Sequence, residues 1–298
     1  MFELRRLRLL HELSLRGTLA AVAEALSYSP STVSQQLTQL EKEAGVPLFV
    51  ADGRGVRLTD HGELLAAHAA RALQLDEQAR GELDALRPQS APVRVAVMQS
   101  AAQSLVPPAL ALLATKEPDL AVYVSQVPPE EGLFELRTRR YDLVVAEQYP
   151  GHTREQQPGL LRVSLGRDPI RLALPRGESR AQLELLAERA WVMEPVGTAA
   201  RQWATQQCRA AGFEPDVRFE IADLTAHVGL IADGVAVGML PELVRMPTPQ
   251  DIDLHDLPGA PAREIFVAMR ESSTRPAILA VRDALRDAFA RRKPQNGR

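Results

Sequence analysis

Apolar residues near the start of the chain recur at the spacing of α-helices. A first helix is predicted from four leucines at steps of three residues: Leu4, Leu7, Leu10 and Leu13. Gly17 ends it, and Thr18 is a suitable N-cap for a second, alanine-rich helix over residues 19–26. The N-terminal segment therefore contains two short helices joined by a tight turn.

A third predicted helix has an unusually polar face. Ser29 caps it, and Pro30 occupies its first position, where the missing N–H costs nothing. Val33, Leu37 and Leu40 form only a narrow apolar stripe, so the opposite face stays polar. Hydroxyl and amide side chains on a helix suit the major groove of DNA, although such a face alone is more often simply solvated.

Two short apolar runs on either side of Asp52-Gly53-Arg54-Gly55 predict a β-hairpin. Three helices followed by a hairpin make a winged helix-turn-helix, and this context favours DNA reading over a solvated face. We expect the DNA contacts to come from the third helix and the hairpin, at Ser29, Pro30, Ser31, Thr32, Ser34, Gln35, Thr38, Arg54 and Arg57.

Residues 60–87 contain no proline and predict one long helix. Its apolar positions repeat at heptad spacing: Leu65, Ala72, Ala79 and Leu86, with Ala69, Asp76 and Leu83 four residues after the first three. This stripe is typical of a coiled coil, interrupted at Asp76. We expect it to form a dimer, because no other element in the segment can bury it; a lone surface helix is the alternative.

Beyond a linker at residues 87–92, strand-like and helical runs alternate, which predicts mainly parallel sheets flanked by helices. Strands are predicted over residues 93–98, 121–125, 141–146, 170–174, 217–221, 235–240 and 265–269. Helices are predicted over residues 105–114, 131–139, 181–189, 199–211, 224–233 and 276–291.

The order of these features resembles a known family. Residues 1–88 resemble the DNA-binding region of LysR-type transcriptional regulators. The matching signature, residues 17–62, contains the run S-x-x-L-x-x-L-E and the wing sequence PLF…R-x-V-R-L-T-x-x-G. The later stretches VAVMQSAAQSLVPPAL, WATQQCRAAGFEPDV and ADLTAHVGLIADGVAVGMLPEL resemble that family's effector-binding domain. Val50-Ala51-Asp52 departs from the family, which usually has a basic residue there, so we expect Arg54 and Arg57 to contribute more of the wing contact.

The resemblance implies an α+β multidomain fold. A winged helix-turn-helix would occupy residues 1–59, a linker and dimerisation helix residues 60–88, and an effector-binding domain residues 91–298. That domain would resemble the periplasmic binding proteins, with two α/β lobes around a ligand cleft. Lobe I would span residues 91–162 and 264–298, and lobe II residues 163–263.

The effector cleft is expected where strands end, because open α/β sheets bind ligands there. Candidate pocket residues are Ser100, Ala101, Ala102, Gln126, Val127, Glu147, Thr198 and Thr225. The Ser100 hydroxyl and the N–H groups of Ala101 and Ala102 would hold a carboxylate. Ser100 as an ordinary N-cap and Glu147 as a solvated loop residue are the alternatives.

Composition narrows the function classes. The chain has 298 residues, a net charge of −3 and one cysteine, so neither a global basic field nor an internal disulfide is available. We expect a cytoplasmic protein with no membrane span and no cofactor or metal, since its six histidines are dispersed. Cys208 is expected to be a packed thiol, Trp191 and Trp203 core residues, and the acidic run 251–256 a solvated loop.

No motif of an enzyme is present: the sequence lacks GxSxG, a Walker loop, GxGxxG after a strand and HExxH. The sequence therefore predicts a transcriptional regulator that binds double-stranded DNA and a small-molecule effector. We expect a homodimer, and by the family resemblance a tetramer that contacts RNA polymerase. A small-molecule-binding protein without DNA function and an effector-independent DNA-binding regulator are the alternatives.

Overall fold

The structure, a computed structural model, describes residues 1–53, 55–86, 91–152, 157–178, 182–244 and 252–292. Its backbone divides into two compact units. The first contains Met1–Arg87 with the segment Ser272–Arg275, and the second contains Pro88–Glu271 with Pro276–Arg298.

The first unit is a winged helix-turn-helix followed by a long helix. Its elements are α1 (Leu4–Arg16), α2 (Leu19–Leu26), α3 (Pro30–Ala44), β1 (Phe49–Asp52), β2 (Gly55–Leu58) and α4 (Asp60–Asp84). The residues predicted to start and end the helices do so. Gly17 ends α1 at φ +73°, and the Thr18 hydroxyl accepts a hydrogen bond from the Ala21 N–H. Ser29 caps α3 in the same way through the N–H of Thr32.

The long helix α4 corrects the prediction that its whole heptad stripe lacks a partner within the segment. Ala69 is fully buried and Leu65 and Ala72 are partly buried, all in the core that α1, α2 and α3 form. The second half of the stripe is exposed instead, with Leu83 58% and Leu86 84% accessible. The prediction was wrong for the first half because the leucine stripe of α1 already covers it.

Close packing joins α4 to the start of the wing. Gly62 lies in the first turn of α4, where a Cβ atom would stand 1.8 Å from the carbonyl oxygen of Leu48. Thr59, the N-cap of α4, donates its N–H to the same carbonyl at 3.0 Å. A glycine is therefore required at position 62 by the approach of two backbones.

The second unit contains strands and helices in alternation. Its strands are β3 (Val93–Val97), β4 (Val122–Gln126), β5 (Leu143–Gln148), β6 (Leu160–Pro175), β7 (Ala190–Met193), β8 (Asp216–Glu220), β9 (Gly238–Pro241), β10 (Ile252–Asp256) and β11 (Ala262–Arg270). Its helices are α5 (Gln99–Ser104), α6 (Val106–Lys116), α7 (Pro129–Arg137), α8 (Ala199–Ala210), α9 (Leu224–Ala232) and α10 (Pro276–Ala290).

The main sheet is mixed, which corrects the prediction of mainly parallel sheets. Its order is β10-β6-β11-β5-β3-β4, with β9 also paired to β6. Only β3 with β4 and β3 with β5 are parallel; β11 runs antiparallel to both β5 and β6. Strand β11, near the C-terminal end of the chain, lies between β5 and β6. Because it runs antiparallel to both neighbours, the sheet is not parallel beyond β5.

Two local predictions in this unit were wrong. Residues 252–256 of the acidic run form strand β10, because their backbone pairs antiparallel with β6; Asp256 also forms an ion pair with Arg171, and Asp253 accepts the N–H of Gly177 at 2.8 Å. The helix predicted over residues 181–189 is a single 3-10 turn, Leu183–Leu186, within the described residues. Trp191, Trp203 and Cys208 are buried core residues, as predicted.

Candidate DNA-reading surface and effector pocket

Helix α3 presents the predicted polar face. Val33, Leu37 and Leu40 are fully buried against the other helices, which turns the opposite side of the helix outward. Of the predicted contact residues, five are exposed and two are partly buried: Ser29, Pro30, Ser31, Gln35 and Thr38, then Thr32 and Ser34. The arrangement leaves hydroxyl and amide groups available to a groove.

Hydroxyl groups cluster at the N-terminus of α3. The Ser29 oxygen lies 2.8 Å from both the Ser31 and the Thr32 hydroxyl oxygens. It also accepts the Thr32 N–H at 3.1 Å. Because the helix dipole is positive at this end, the cluster is suited to an anionic oxygen such as that of a phosphate.

The wing places one of its two predicted arginines in solvent. Arg57 is exposed on β2, opposite Val50 of β1, and Asp52 is also exposed, opposite Gly55. The expectation for Arg54 falls outside the described residues.

A stacked pair beside the reading helix escaped the sequence interpretation. The guanidinium carbon of Arg5 lies 5.0 Å from the centroid of the Tyr28 ring, and Tyr28 directly precedes the cap of α3. Arg5 is exposed, which makes it a further cation next to the reading face. The sequence did contain a signal for this: Arg5 does not belong to the leucine stripe of α1, so its side chain is expected to face solvent.

The second unit contains a cavity of about 430 Å³ at the ends of its strands. Five predicted residues line it: Ser100, Gln126, Val127, Glu147 and Thr198. Ala101, Ala102 and Thr225 do not. The sequence interpretation missed several other lining residues, among them Gln99, Pro128, Pro129, Glu130, Glu194, Pro195 and Arg263.

Arg263, on β11, is the buried cation of this wall. Its Nε and Nη2 atoms lie 2.9 Å from Asp168 Oδ2, and Nη2 also donates to the Ser100 hydroxyl at 2.7 Å. Nη1 donates to Glu147 at 3.1 Å and contacts the Tyr149 hydroxyl at 3.5 Å. These five contacts match the five N–H donors of a guanidinium group.

The hydrogen bonds revise the expected carboxylate site. Ser100 is 1% exposed and its oxygen accepts from Arg263, while the Ala102 N–H donates within α5 to the Met98 carbonyl. Thr198 donates its hydroxyl to the Pro195 carbonyl and accepts the Arg201 N–H, so it is an N-cap whose hydroxyl is used locally. Two of the three groups of the predicted carboxylate site, the Ser100 hydroxyl and the Ala102 N–H, thus already have partners within the protein.

Gln99 connects the two sides of the cavity. Its amide nitrogen donates to Asp223 at 2.5 Å, and its amide oxygen accepts the Leu224 N–H at 2.9 Å. The hydroxyl of Thr225 accepts from Gln103 at 3.2 Å, which places it beside this contact and outside the cavity wall. Gln99 thus fixes the start of α9 against the start of α5.

Acidic groups dominate the titratable lining. Burial, the charge of Glu147 and, to a smaller extent, that of Glu130 raise the pKa of Glu194 to about 7, against a smaller opposing effect of Arg263. Nearby, burial raises the pKa of the Tyr149 phenol above its ordinary value. The pocket therefore contains a carboxyl that changes charge near neutral pH.

Three further observations concern metal binding, the reactivity of the cysteine and membrane-spanning helices. Among the described residues, no group of three or more His, Cys, Asp or Glu side chains is arranged to hold a metal ion. Burial raises the pKa of the Cys208 thiol to about 12, which makes it unreactive. No helix in the described part of the chain is long and apolar enough to span a membrane.

Comparison with known proteins gives family matches for both parts of the chain. Residues 4–63 match the family described as "Bacterial regulatory helix-turn-helix protein, lysR family", and residues 87–290 match "LysR substrate binding domain". A probable HTH-type transcriptional regulator LrrA of Synechococcus elongatus is 30% identical over 91% of this chain and 92% of its own. The transcriptional dual regulator GltC of Bacillus subtilis is 28% identical over 80% and 81%.

The fold is also that of solved structures. A full-length OxyR from Pseudomonas aeruginosa superimposes with a TM-score of 0.68 over 100% of this chain and 99% of that chain, at 23% identity. The two family matches thus cover residues 4–63 of the first unit and nearly all of the second unit. The chain belongs to the LysR-type transcriptional regulators, which are DNA-binding regulators with an effector-binding domain and not enzymes.

Proposed function

We propose that the polar face of α3 enters the major groove of an operator and reads its base edges. Gln35 would pair with adenine, and the hydroxyl cluster of Ser29, Ser31 and Thr32 would hold a backbone phosphate. The observation that supports this most directly is the exposure of these side chains on a helix whose apolar side is fully buried. Arg57 of the wing would add a phosphate contact.

The cavity of the second unit is the proposed effector site. Its volume of about 430 Å³ lies within the range of about 300–1,000 Å³ typical of small-molecule pockets. Residues from both predicted lobes line it, including Ser100 and Glu147 of lobe I and Glu194 and Thr198 of lobe II. An effector that contacts both sides would favour one conformation of this domain and so alter DNA binding.

We propose a homodimer formed through the exposed side of α4. Leu64, Leu75 and Leu83 are 62%, 66% and 58% accessible, and at 100° per residue they fall within an arc of about 100°. A second copy of the helix would bury them. The two reading helices would then meet half-sites about 34–36 Å apart, in the cytoplasm, with tetramer formation and contact with RNA polymerase as further steps.

A gel shift with the DNA upstream of the protein's own gene tests the proposal. The full chain should give a salt-sensitive complex with this DNA and a weaker one with scrambled DNA. Gln35→Ala should cost about 1–3 kcal/mol of the discrimination between the two. Gln206→Ala, an exposed glutamine on α8, is the matched control and should bind as the wild type does. Equal discrimination by Gln35→Ala would contradict the assignment of α3.

A further inference from the structure

Among its described lining residues the cavity has one buried cation, Arg263, and each of its three guanidinium nitrogens already has a protein partner. It donates hydrogen bonds to Asp168, Ser100, Glu147 and Tyr149, and Nη2 also forms an ion pair with Asp168. Its positive charge faces two carboxylates, Asp168 and Glu147. An anionic effector would have to displace one of these contacts and so separate a buried carboxylate from the guanidinium of Arg263.

Glu194 differs from Arg263 because its side chain can still accept hydrogen bonds from a ligand. It directly follows β7 and lines the cavity from the side facing Glu147. Within the described part of the chain, its carboxylate accepts no hydrogen bond, although the residue is only partly accessible. A carboxylate in such a position is stabilised by any ligand group that brings an N–H donor and a positive charge.

The charges around Glu194 favour a cation. Glu130, Glu147 and Glu194 line the cavity against the single guanidinium of Arg263 among its described lining residues. Glu147 and Glu130 both disfavour the ionised form of Glu194, and Arg263 favours it. Glu194 and the buried His227 also share the wall of a small neighbouring cavity, and burial lowers the pKa of His227, which keeps that ring neutral.

Apolar groups complete the site. Val127, Pro128, Pro129, Pro195 and Leu224 line the same cavity and offer carbon surface to a ligand. These residues cannot form hydrogen bonds through their side chains, so they suit an alkyl or aromatic skeleton.

We propose that the effector of this chain is a small organic cation, an amine with an apolar skeleton, whose protonated nitrogen pairs with Glu194. This inference rests on the proposed function of the cavity as the effector site and specifies the chemical class of its ligand. Arg263 is then a positioning residue that holds Ser100 and Glu147 in place. Glu194 selects positive charge.

Proton release is one measurable consequence. The pKa of Glu194 is raised to about 7, so near neutral pH a large fraction of the carboxyl is protonated. An ammonium group within contact distance favours the ionised form, and binding must therefore expel protons. A neutral ligand would not have this effect.

Calorimetric titration of the full chain tests the proposal with pairs of probes that share a skeleton. Cadaverine is compared with glutarate, and tyramine with hydroxyphenylacetate, each near pH 7 in two buffers of different ionisation enthalpy. At least one amine should bind saturably and release protons, while its acid partner should not bind. Glu194→Gln should weaken the amine by about 10–100-fold, as expected for one charge-assisted hydrogen bond.

Matched variants separate this role from a structural one. Glu194→Asp keeps the charge and should retain part of the affinity, and Glu188→Gln, an exposed glutamate, should bind as the wild type does. Binding by the acids in preference to the amines, no saturable binding by either amine, or equal amine affinity in Glu194→Gln would overturn the proposal. The gel shift of the ligand-free protein is measured in parallel: a sequence-selective complex there, with no amine binding, would refute the ligand class and leave the regulator function standing.

Discussion

The carboxylate of Glu41, on α3, the proposed reading helix, accepts a hydrogen bond from the backbone N–H of Leu48 at 2.8 Å. The same oxygen lies 3.4 Å from the N–H of Phe49, the first residue of the wing. A helix that reads bases and a hairpin that contacts the backbone must keep a fixed separation to bind one duplex. Glu41 sets that separation through two main-chain donors.

Replacing Glu41 with alanine should therefore affect both stability and DNA binding. The change leaves the Leu48 N–H, which is partly shielded, without its acceptor, and we expect a loss of about 1–3 kcal/mol in the free energy of unfolding. Urea denaturation of the full chain measures the first effect and a gel shift the second. Glu24→Ala, an exposed glutamate on α2, is the control. If both variants unfold alike, Glu41 does not hold the wing.

Arg57→Ala should weaken DNA binding at every sequence. An exposed wing arginine contributes through phosphate charge, so its removal should lower the slope of log affinity against log salt by about 1. Gel shifts across a salt series with specific and scrambled DNA measure this, and Arg291→Ala on the second unit is the control. A loss confined to the specific sequence would instead make Arg57 a base-reading residue.

Gly62→Ala should destabilise the first unit. Its new Cβ would meet the Leu48 carbonyl oxygen at 1.8 Å, and both partners are backbone, so relief requires the wing and α4 to move apart. We expect a cost of at least about 1–3 kcal/mol. Gly229→Ala in α9 is the counterpart: nothing lies within 4 Å of its Cβ position, and the substitution should stabilise by about 0.5–1 kcal/mol. Thermal unfolding of the two variants should shift in opposite directions.

His227 should make an unfavourable contribution to the stability of the second unit in mild acid, opposite in sign to that of Glu194, whose pKa is raised. Burial lowers the pKa of His227 below its ordinary value of 6.5, despite the opposing effects of the Ile221 carbonyl and Asp223. The unfolded chain then binds the His227 proton more readily than the folded chain, so the contribution of this residue to the free energy of unfolding decreases as pH drops below about 6.5. The ring also has no hydrogen-bond partner at Nδ1 within the described residues, so a proton there would be unsatisfied.

His227→Gln isolates this effect. The glutamine amide can still donate to the Ile221 carbonyl, which the His227 ring nitrogen contacts at 2.7 Å. Urea denaturation at about pH 7.5 and about pH 5.5 should show a free energy of unfolding that changes more favourably on acidification in the variant than in the wild type. The same change in both proteins would show that His227 makes no such contribution.

The DNA-reading unit was predictable because its signals are local. Thr18 and Ser29 cap the helices that follow them within three residues, and Gly17 ends the helix before it. Each of these features is a contact between near neighbours in the chain. The alternation of apolar and polar positions then gave the buried stripe of α3.

Contacts between distant residues were not predictable. Arg263 meets Ser100 across 163 residues and Asp168 across 95, and no spacing in the sequence announces either pair. The same limit explains the wrong prediction for α4. Its heptad pattern is continuous, but α1 covers the first half and the second half remains exposed. The strand β10 was missed because its aspartates are paired with Arg171 and Gly177, which precede it by more than 70 residues.

The sixteen-residue strand β6 has a consequence for how this domain can be divided. Its residues 160–169 pair with β11, and its residues 170–175 pair with β9 and β10. One continuous strand thus belongs to both ladders, with no loop between them at which either could open alone. Calorimetry of the intact domain should therefore record one melting transition.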